Sequence, residues 1–159
     1  MLECIRKPDQ FCRKWRESGV KLSTKGRYGL TAMLCLARHR DEGPLPLRAM
    51  DETGIQPDYL EQLLASLRKA GLVNTSRGAQ GGYSLARPPE EITVGDVIAA
   101  TEGPVRFCEC DSENDTCSYK DHCDARAVWV SLSHKMNDLL DSITLASVLA
   151  DLNKEDTES

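Results

Sequence analysis

The chain has 159 residues, which is long enough for one domain with an appendage and for a core that needs no disulfide bonds. Hydrophobic residues make up 40% and charged residues 28%, and no apolar run approaches the roughly 18 residues of a membrane span. No apolar region follows the basic residues near the N-terminus, so we expect a cytoplasmic protein without a secretory signal or a membrane partner.

The formal net charge of -5 does not by itself favour nucleic acid as a partner, but the charge is unevenly distributed. Residues 1–88 contain 15 Lys and Arg against 9 Asp and Glu, whereas residues 89–159 contain 5 against 16. This asymmetry suggests a basic half that meets a polyanion, although uneven charge is also compatible with an ordinary protein surface.

The first predicted helix follows an N-terminal extension of a different character. Residues 1–20 show no sustained period, and two interpretations stay open: a native N-terminal extension, or a non-native one with Val20 as the natural start. Residues 25–40 predict a helix, which the sequence Asp41-Glu42-Gly43-Pro44 ends. Its inward face has helical spacing and consists of Leu30, Met33, Leu34 and Ala37.

A short helix, a glycine turn and a longer helix follow, which is the signature of a helix-turn-helix. Residues 46–53 predict the short helix, Gly54 the turn and residues 57–70 the longer helix. Pro57 suits the first position of that helix, and Gly71 suits its C-terminal cap. The predicted apolar stripe of the longer helix consists of Leu60, Leu63, Leu64 and Leu67.

A hairpin after these helices completes a winged helix-turn-helix, predicted over residues 21–103. Residues 72–75 and 83–85 predict two strands around a glycine-rich loop, whose spacing fits neither a P-loop nor a dinucleotide fingerprint. Residues 93–101 predict another helix, with Thr93 as its N-cap and Asp96 at its third position. The predicted fold class is therefore mainly α with a small β wing.

Seven cysteines are an odd count for a secreted disulfide scaffold. Residues 104–123 predict a cysteine-rich loop, and clustered cysteines in a cytosolic protein are typical of metal ligands or redox thiols. An iron–sulfur cluster, tetrahedral zinc and metal-free thiol sensing all remain open on this basis. The four clustered cysteines are Cys108, Cys110, Cys117 and Cys123.

The C-terminal part, residues 124–152, predicts a long helix followed by a short one. The long helix should run from about residue 123 to 143, and residues 153–159 should form a disordered polar tail. Apolar residues spaced 3, 4, 3, 4 favour a dimerisation seam, with packing on the helix's own domain as the alternative. The seam consists of Trp129, Leu132, Met136, Leu139 and Ile143.

Five motifs follow one another along the chain: Lys21-Leu-Ser-Thr-Lys-Gly-Arg-Tyr-Gly-Leu-Thr-Ala-Met33, Tyr59-Leu-Glu-Gln-Leu63, Leu67-Arg-Lys-Ala-Gly-Leu-Val73, Arg77-Gly-Ala-Gln-Gly-Gly-Tyr83 and Ile143-Thr-Leu145. Together they resemble the IscR/NsrR/CymR family of bacterial winged-helix repressors from Lys21 to about Leu152, and the cysteines ahead of Trp129 look most like its IscR branch. The resemblance implies a homodimer on palindromic double-stranded DNA, with a [2Fe-2S] cluster near the long helix.

The longer helix of the helix-turn-helix should enter the major groove at its N-terminal end. Carboxylate and amide groups at that end can read cytosine and adenine, and by resemblance Glu61 matches the family's base-reading glutamate. The alternative is that Asp58 and Glu61 only stabilise the positive helix terminus. The candidate DNA contacts on this helix are Asp58, Tyr59, Glu61 and Gln62.

The first helix and the wing supply the remaining DNA candidates. Side chains at the start of the first helix are expected to contact phosphates, unless they form only a solvated basic face. Arg77, beside Gly78 in the wing, could enter a narrow minor groove. The candidate phosphate contacts are Thr24, Lys25, Arg27 and Tyr28.

By resemblance, three cysteines (Cys110, Cys117 and Cys123) occupy the cluster-ligand positions. The IscR branch has a histidine ligand three residues after the last of them, where this chain has Arg126, and a protonated guanidinium cannot serve as a normal ligand. Cys108 is then the first choice for the fourth ligand and His122 the second. The implied signal is iron–sulfur status, redox state or nitric oxide.

Three rival functions remain. The first is a cluster-free regulator of cysteine or sulfur metabolism, acting through thiols or a partner protein. The second is a thiol-disulfide enzyme, disfavoured because Cys108-Glu109-Cys110 lacks the usual spacing, so no enzyme is expected. The third is a protein-interaction module. Outside these sites, Cys35 predicts a small buried apolar residue, and His39 and His134 predict surface or packing residues.

Overall fold

In this computed structural model, residues 23–78, 81–107 and 124–157 are described. Over these ranges the chain is mainly helical with one two-stranded antiparallel sheet, as predicted. The elements in chain order are helix α1 (Thr24–Arg38), two 3₁₀ helices (Arg40–Glu42 and Leu47–Thr53), helix α2 (Pro57–Lys69), strands β1 (Val73–Ser76) and β2 (Gly82–Leu85), and helices α3 (Val94–Glu102), α4 (Arg126–Asp141) and α5 (Leu145–Thr157).

The core lies between α1, α2 and α3, with Leu145 of α5 also buried in it. The predicted leucine stripe of α2 is buried along its whole length, and on α1 Met33, Leu34 and Ala37 are buried while Leu30 is half-buried. Burying each such side chain contributes on the order of 1.5–3 kcal/mol, so the helix-turn-helix is held mainly by apolar packing.

The turn of the helix-turn-helix forms as the sequence predicts. Gly54 is left-handed (φ +65°), and Pro57 begins α2. At the other end of α2, Gly71 has a φ of +75° and donates to Arg68, while the Leu72 amide donates to Leu67. The predicted short helix, Leu47–Thr53, is a 3₁₀ helix rather than an α-helix.

The wing is paired from Val73↔Leu85 to Ser76↔Gly82. Strand β2 is joined near its tip end to the loop that precedes the second 3₁₀ helix, because the Leu45 amide donates to the Tyr83 carbonyl at 2.8 Å and the Tyr83 amide donates to the Leu45 carbonyl at 2.9 Å. The wing is therefore fixed to the same body that contains the helix-turn-helix.

Helix α3 begins with the predicted cap. The Thr93 hydroxyl accepts from the Asp96 amide, and the Asp96 carboxylate accepts from the Thr93 amide. This reciprocal capping box satisfies two backbone donors at the helix start.

The C-terminal helices differ from the sequence expectation at two ends. Helix α4 ends at Asp141, so Ile143 lies beyond it, and the Ile143 carbonyl accepts from the Val94 amide at the start of α3. The expected disordered tail 153–159 is also incorrect as far as Thr157, because α5 continues to that residue. A Lys154–Asp151 ion pair one turn apart supports this extension. No helix among the described residues is both long and apolar enough to cross a membrane.

Candidate nucleic-acid interface and cluster site

The exposed face at the start of α2 carries the predicted base-reading residues. Asp58, Glu61 and Gln62 are exposed, while the leucines on the opposite face are buried. The side chains that could read bases are thus carried by a helix whose position the core fixes. Tyr59 is half-buried against the core and connects this face to the neighbouring helix.

The N-terminal turn of α1 presents the predicted phosphate contacts to solvent. The Ser23 side chain caps this helix by accepting from the Lys25 amide at 3.1 Å. Tyr28 packs edge-to-face on Tyr59 of α2, with ring centroids 6.0 Å apart. The structure therefore brings the two predicted DNA-contacting helix ends together.

The wing presents Arg77 and Gly78 on its exposed side, directly after β1. Gly78 has a φ of +112°, which side-chain-bearing residues rarely adopt. A Cβ at Gly81 would lie 2.5 Å from the Ser76 carbonyl oxygen, so this position has no room for a side chain. Gly78 and Gly81 therefore allow the chain to turn tightly after β1, with Arg77 exposed at the start of this turn.

A carboxylate that the sequence analysis missed accepts hydrogen bonds from the backbone at the N-terminus of α1. Glu102, the last residue of α3, accepts from the Gly26 amide at 2.6 Å and from the Ser23 amide at 3.3 Å. Its negative charge stabilises the positive end of α1. The partners are 76 and 79 residues apart, so no local pattern indicates them.

The predicted cluster ligands Cys108, Cys110, Cys117 and Cys123, together with His122, lie outside the described residues. We call residues 108–123 the cysteine segment. Its chemistry fits an iron–sulfur centre, since four thiolates within sixteen residues supply the ligands that such a cluster needs. Arg126 is the first residue of α4, and its half-exposed side chain takes part in an interaction.

The chain on the N-terminal side of the cysteine segment is hydrogen-bonded to α4. The Asn137 side chain accepts from the Val105 amide at 3.0 Å and donates to the Val105 carbonyl at 2.9 Å. The hydroxyl of Ser133, a buried residue, accepts from the Phe107 amide at 3.1 Å. Since α4 itself begins at Arg126, the chain on both sides of the cysteine segment is connected to this helix.

Comparisons with known proteins agree with this architecture. Residues 22–151 match the Rrf2 family, described as an iron-dependent transcriptional regulator. The HTH-type transcriptional regulator IscR of Aliivibrio salmonicida is 44% identical over 133 residues, covering 83% of this chain and 79% of that protein. IscR of Serratia proteamaculans is 42% identical over 147 residues, covering 87% and 89%.

Solved structures show the same likeness. The structure of T. potens IscR is 45% identical with a TM-score of 0.68, covering 84% of this chain and 89% of that one. CymR, the global cysteine regulator of B. subtilis, is 39% identical with a TM-score of 0.66, covering 83% and 98%. These relatives are regulators and not enzymes, as the sequence analysis expected. The chain belongs to the Rrf2 family of winged helix-turn-helix transcription regulators.

Proposed function

We propose that this regulator binds palindromic operator DNA as a homodimer and responds to iron–sulfur status, redox state or nitric oxide through a cluster held by the cysteine segment. The observation that carries the proposal is that Val105 and Phe107 are hydrogen-bonded to α4. These bonds connect the chain next to the four clustered cysteines to the helix that we expect to dimerise. The similarity to proteins named IscR supports the same function.

The DNA interface consists of the helix ends joined by Tyr28 and Tyr59. Glu61 reads a base edge in the major groove by accepting a hydrogen bond from it. The same carboxylate disfavours sequences that place a hydrogen-bond acceptor of a base opposite it, because two acceptors repel each other. Lys25 and Arg27 contact phosphates and set the register. Arg77 reaches the adjacent minor groove from the wing.

The dimer interface uses the face of α4 that the described part of the chain leaves exposed. Trp129, Leu132 and Leu139 are 43%, 38% and 56% exposed, although they are spaced like a coiled-coil seam. Ser133 and Asn137 lie on a different face, where they hold residues 105–107. The helix therefore has one face for its own domain and another for a second copy.

The cluster ligands are Cys110, Cys117 and Cys123, with Cys108 as the fourth and His122 as its replacement. A bound [2Fe-2S] cluster would supply a redox-active centre that can be oxidised or lost. Ligation by four thiolates makes the centre more electron-rich than one with a histidine ligand, which suits a chain with Arg126 at the histidine position.

A short path of contacts couples the cysteine segment to the DNA interface. Residues 105–107 are bonded to α4, and three residues earlier Glu102 caps the N-terminus of α1. With a cluster bound to the cysteine segment, these contacts would favour one placement of α4 and α1, and with it one spacing of the two DNA-binding domains of the dimer.

A second candidate is the cluster-free regulator of cysteine or sulfur metabolism. The observation in its favour is the likeness to the CymR structure, of which this chain covers 98%. In that case the cysteine segment would sense through its thiols, through zinc or through a partner protein.

The test is to purify the full-length chain anaerobically, to measure iron, sulfide and zinc, and to record its visible spectrum. We expect about two iron and two sulfide per chain. Cys117→Ala should abolish the iron content and change operator affinity, whereas the control Cys35→Ala should retain the iron. A colourless protein without iron after cluster reconstitution would refute the cluster and favour the second candidate.

The coupling path is tested separately. Asn137→Ala removes the bonds to Val105 without touching a proposed ligand, so the iron content should stay near that of the wild type. The ratio of operator affinities with and without the cluster should move towards one. The control Asn153→Ala, on α5, should retain the wild-type ratio. A wild-type ratio in Asn137→Ala would contradict the path.

A further inference from the structure

A group of metal-ligating side chains lies where the C-terminal end of α1 meets the 3₁₀ helix Leu47–Thr53, outside the cysteine segment. The Cys35 sulfur, a His39 ring nitrogen and a Glu52 carboxylate oxygen all lie within 4.8 Å of one another. Cys35 is buried, the His39 side chain is 28% exposed, and the Glu52 side chain is 46% exposed. The group therefore has one buried ligand and an opening to solvent.

The backbone places these ligands without strain. Cys35 lies in the last turn of α1 and His39 is the C-cap residue four positions later, whose amide donates to the Cys35 carbonyl, so the two side chains lie on one side of this helix end. Glu52 comes from the 3₁₀ helix that packs against this end of α1. Two elements thus converge on one point.

The orientation of the His39 ring is a second observation that indicates a ligand. Its Nδ1 lies 2.9 Å from the Glu42 Oε1, and its Nε2 faces the Glu52 Oε1 at 3.5 Å. With Nδ1–H donating to Glu42, Zn²⁺ would take the place of the proton between Nε2 and Glu52, on the side of the ring that Cys35 also faces. A carboxylate behind a ligating histidine is the usual outer partner in protein metal sites.

The charges at this point also suit a cation. Burial, followed by the neighbouring Glu52, raises the pKa of the Cys35 thiol to about 12, so without a metal this thiol is neutral and unreactive. A bound divalent cation would compensate Glu52 and deprotonate the thiol, because coordination lowers a thiol pKa strongly.

We propose that Cys35, His39 and Glu52 form a Zn²⁺ site that fixes the 3₁₀ helix Leu47–Thr53 against the C-terminal end of α1. Sulfur, imidazole and carboxylate together suit Zn²⁺ rather than Mg²⁺ or Ca²⁺, and water takes the fourth tetrahedral position. The His39 Nε2 and the Glu52 Oε1 are 3.5 Å apart, which is the spacing that two ligand atoms have around a tetrahedral Zn²⁺. The site is independent of the cysteine segment.

The experiment uses the full-length chain with its other six cysteines replaced by serine, so that Cys35 is the single thiol. Co²⁺ is the spectroscopic probe. We expect one equivalent to bind, with tetrahedral d–d bands and a thiolate-to-cobalt charge-transfer band that Zn²⁺ abolishes by displacement. Since Zn²⁺ binds only the folded chain at this site, the Tm should rise with its concentration.

His39→Gln and Glu52→Gln, added to that chain, should each weaken Co²⁺ binding at least tenfold. His134→Gln and Glu90→Gln are matched controls on other parts of the surface and should bind Co²⁺ as before. Absence of the charge-transfer band, or binding that both ligand variants leave unchanged, overturns the proposal.

If the six-serine chain does not fold by circular dichroism, zinc content is compared between the full-length wild-type chain and its Cys35→Ala variant. The proposal requires one zinc fewer per chain in the variant. An equal zinc content overturns it. Iron content should be the same in both, so the outcome is separate from that of the cluster.

Discussion

The helix-turn-helix and helix α4 bury their apolar residues in different ways. In the helix-turn-helix, the leucine stripe of α2 is covered by α1 and α3 of the same chain. On α4, Ser133 is the one buried residue, while Leu139 is 56% exposed and Val128 61% exposed. The apolar stripe of the first region is covered within the described chain, whereas the described residues leave the apolar seam of the second exposed, as the proposed dimer requires.

The difference shows which kind of change each region tolerates. We expect a polar substitution in the leucine stripe to unfold the domain, and the same substitution on the exposed seam of α4 to leave the fold intact and to weaken the proposed dimer. The following predictions test this distinction, from the largest expected effect to the smallest.

Leu139→Glu should separate dimerisation from folding. A charge in the seam should yield a folded monomer, and operator affinity should fall by roughly 100-fold or more because one head then binds one half-site. Sedimentation and DNA titration measure both effects. Ala99→Glu, which adds the same charge at an exposed position of α3, should remain dimeric. A dimeric Leu139→Glu protein would show that α4 does not form the interface.

Glu61→Ala should change specificity and not stability, because its side chain is exposed while its helix is held by the leucines. Discrimination between the operator and a version altered at the contacted base should fall by about 1–3 kcal/mol. Competition titrations measure this, and the exposed carboxylate variant Asp41→Ala is the control. Unchanged discrimination would show that Glu61 reads no base and acts only as a negative charge near the N-terminus of α2.

Gly29→Ala should destabilise the domain, since the new Cβ would lie 2.7 Å from the Thr101 Cγ2 between α1 and α3. We expect the free energy of unfolding to fall by about 1–3 kcal/mol in denaturant titration. Thr101→Ser removes that methyl group and keeps the hydroxyl bonded to Val97, so Gly29→Ala should cost less in this background. An equal cost in both backgrounds would mean that the contact is not the cause.

Lys25→Gln should have the smallest effect. Loss of one phosphate contact should weaken DNA binding a few-fold on all sequences and reduce the slope of log affinity against log salt by about 0.9. Lys154→Gln, at the far end of the chain, should leave the slope unchanged. An unchanged slope in Lys25→Gln would assign this lysine to a solvated face.

Local patterns predicted most of the fold. The stripe of α2, Pro57 at its start, Gly54 in the turn and the Thr93–Asp96 cap each follow from a few neighbouring residues. Boundaries were less accurate, because the polar 153–157 stretch has no apolar period and yet continues α5.

The candidate site was predicted only where side chains sit on a regular helix. The exposed positions of α2 follow from the buried ones, but the Glu102–Gly26 and Asn137–Val105 bonds join residues 76 and 32 apart. Such contacts depend on how the helices pack, which periodicity does not determine. The Cys35, His39 and Glu52 group was missed for the same reason, although the spacing of Cys35 and His39 was visible.

The bridge between Leu45 and Tyr83 limits which residues of the wing can vary without a change in the fold. It holds β2 one residue away from the end of the strand pairing, so the register of β2 does not depend on the residues of the tip. Residues 77–81 can therefore be exchanged as a unit without refolding the domain. Gly82 cannot join that exchange, because a Cβ there would lie 2.8 Å from the Pro46 nitrogen.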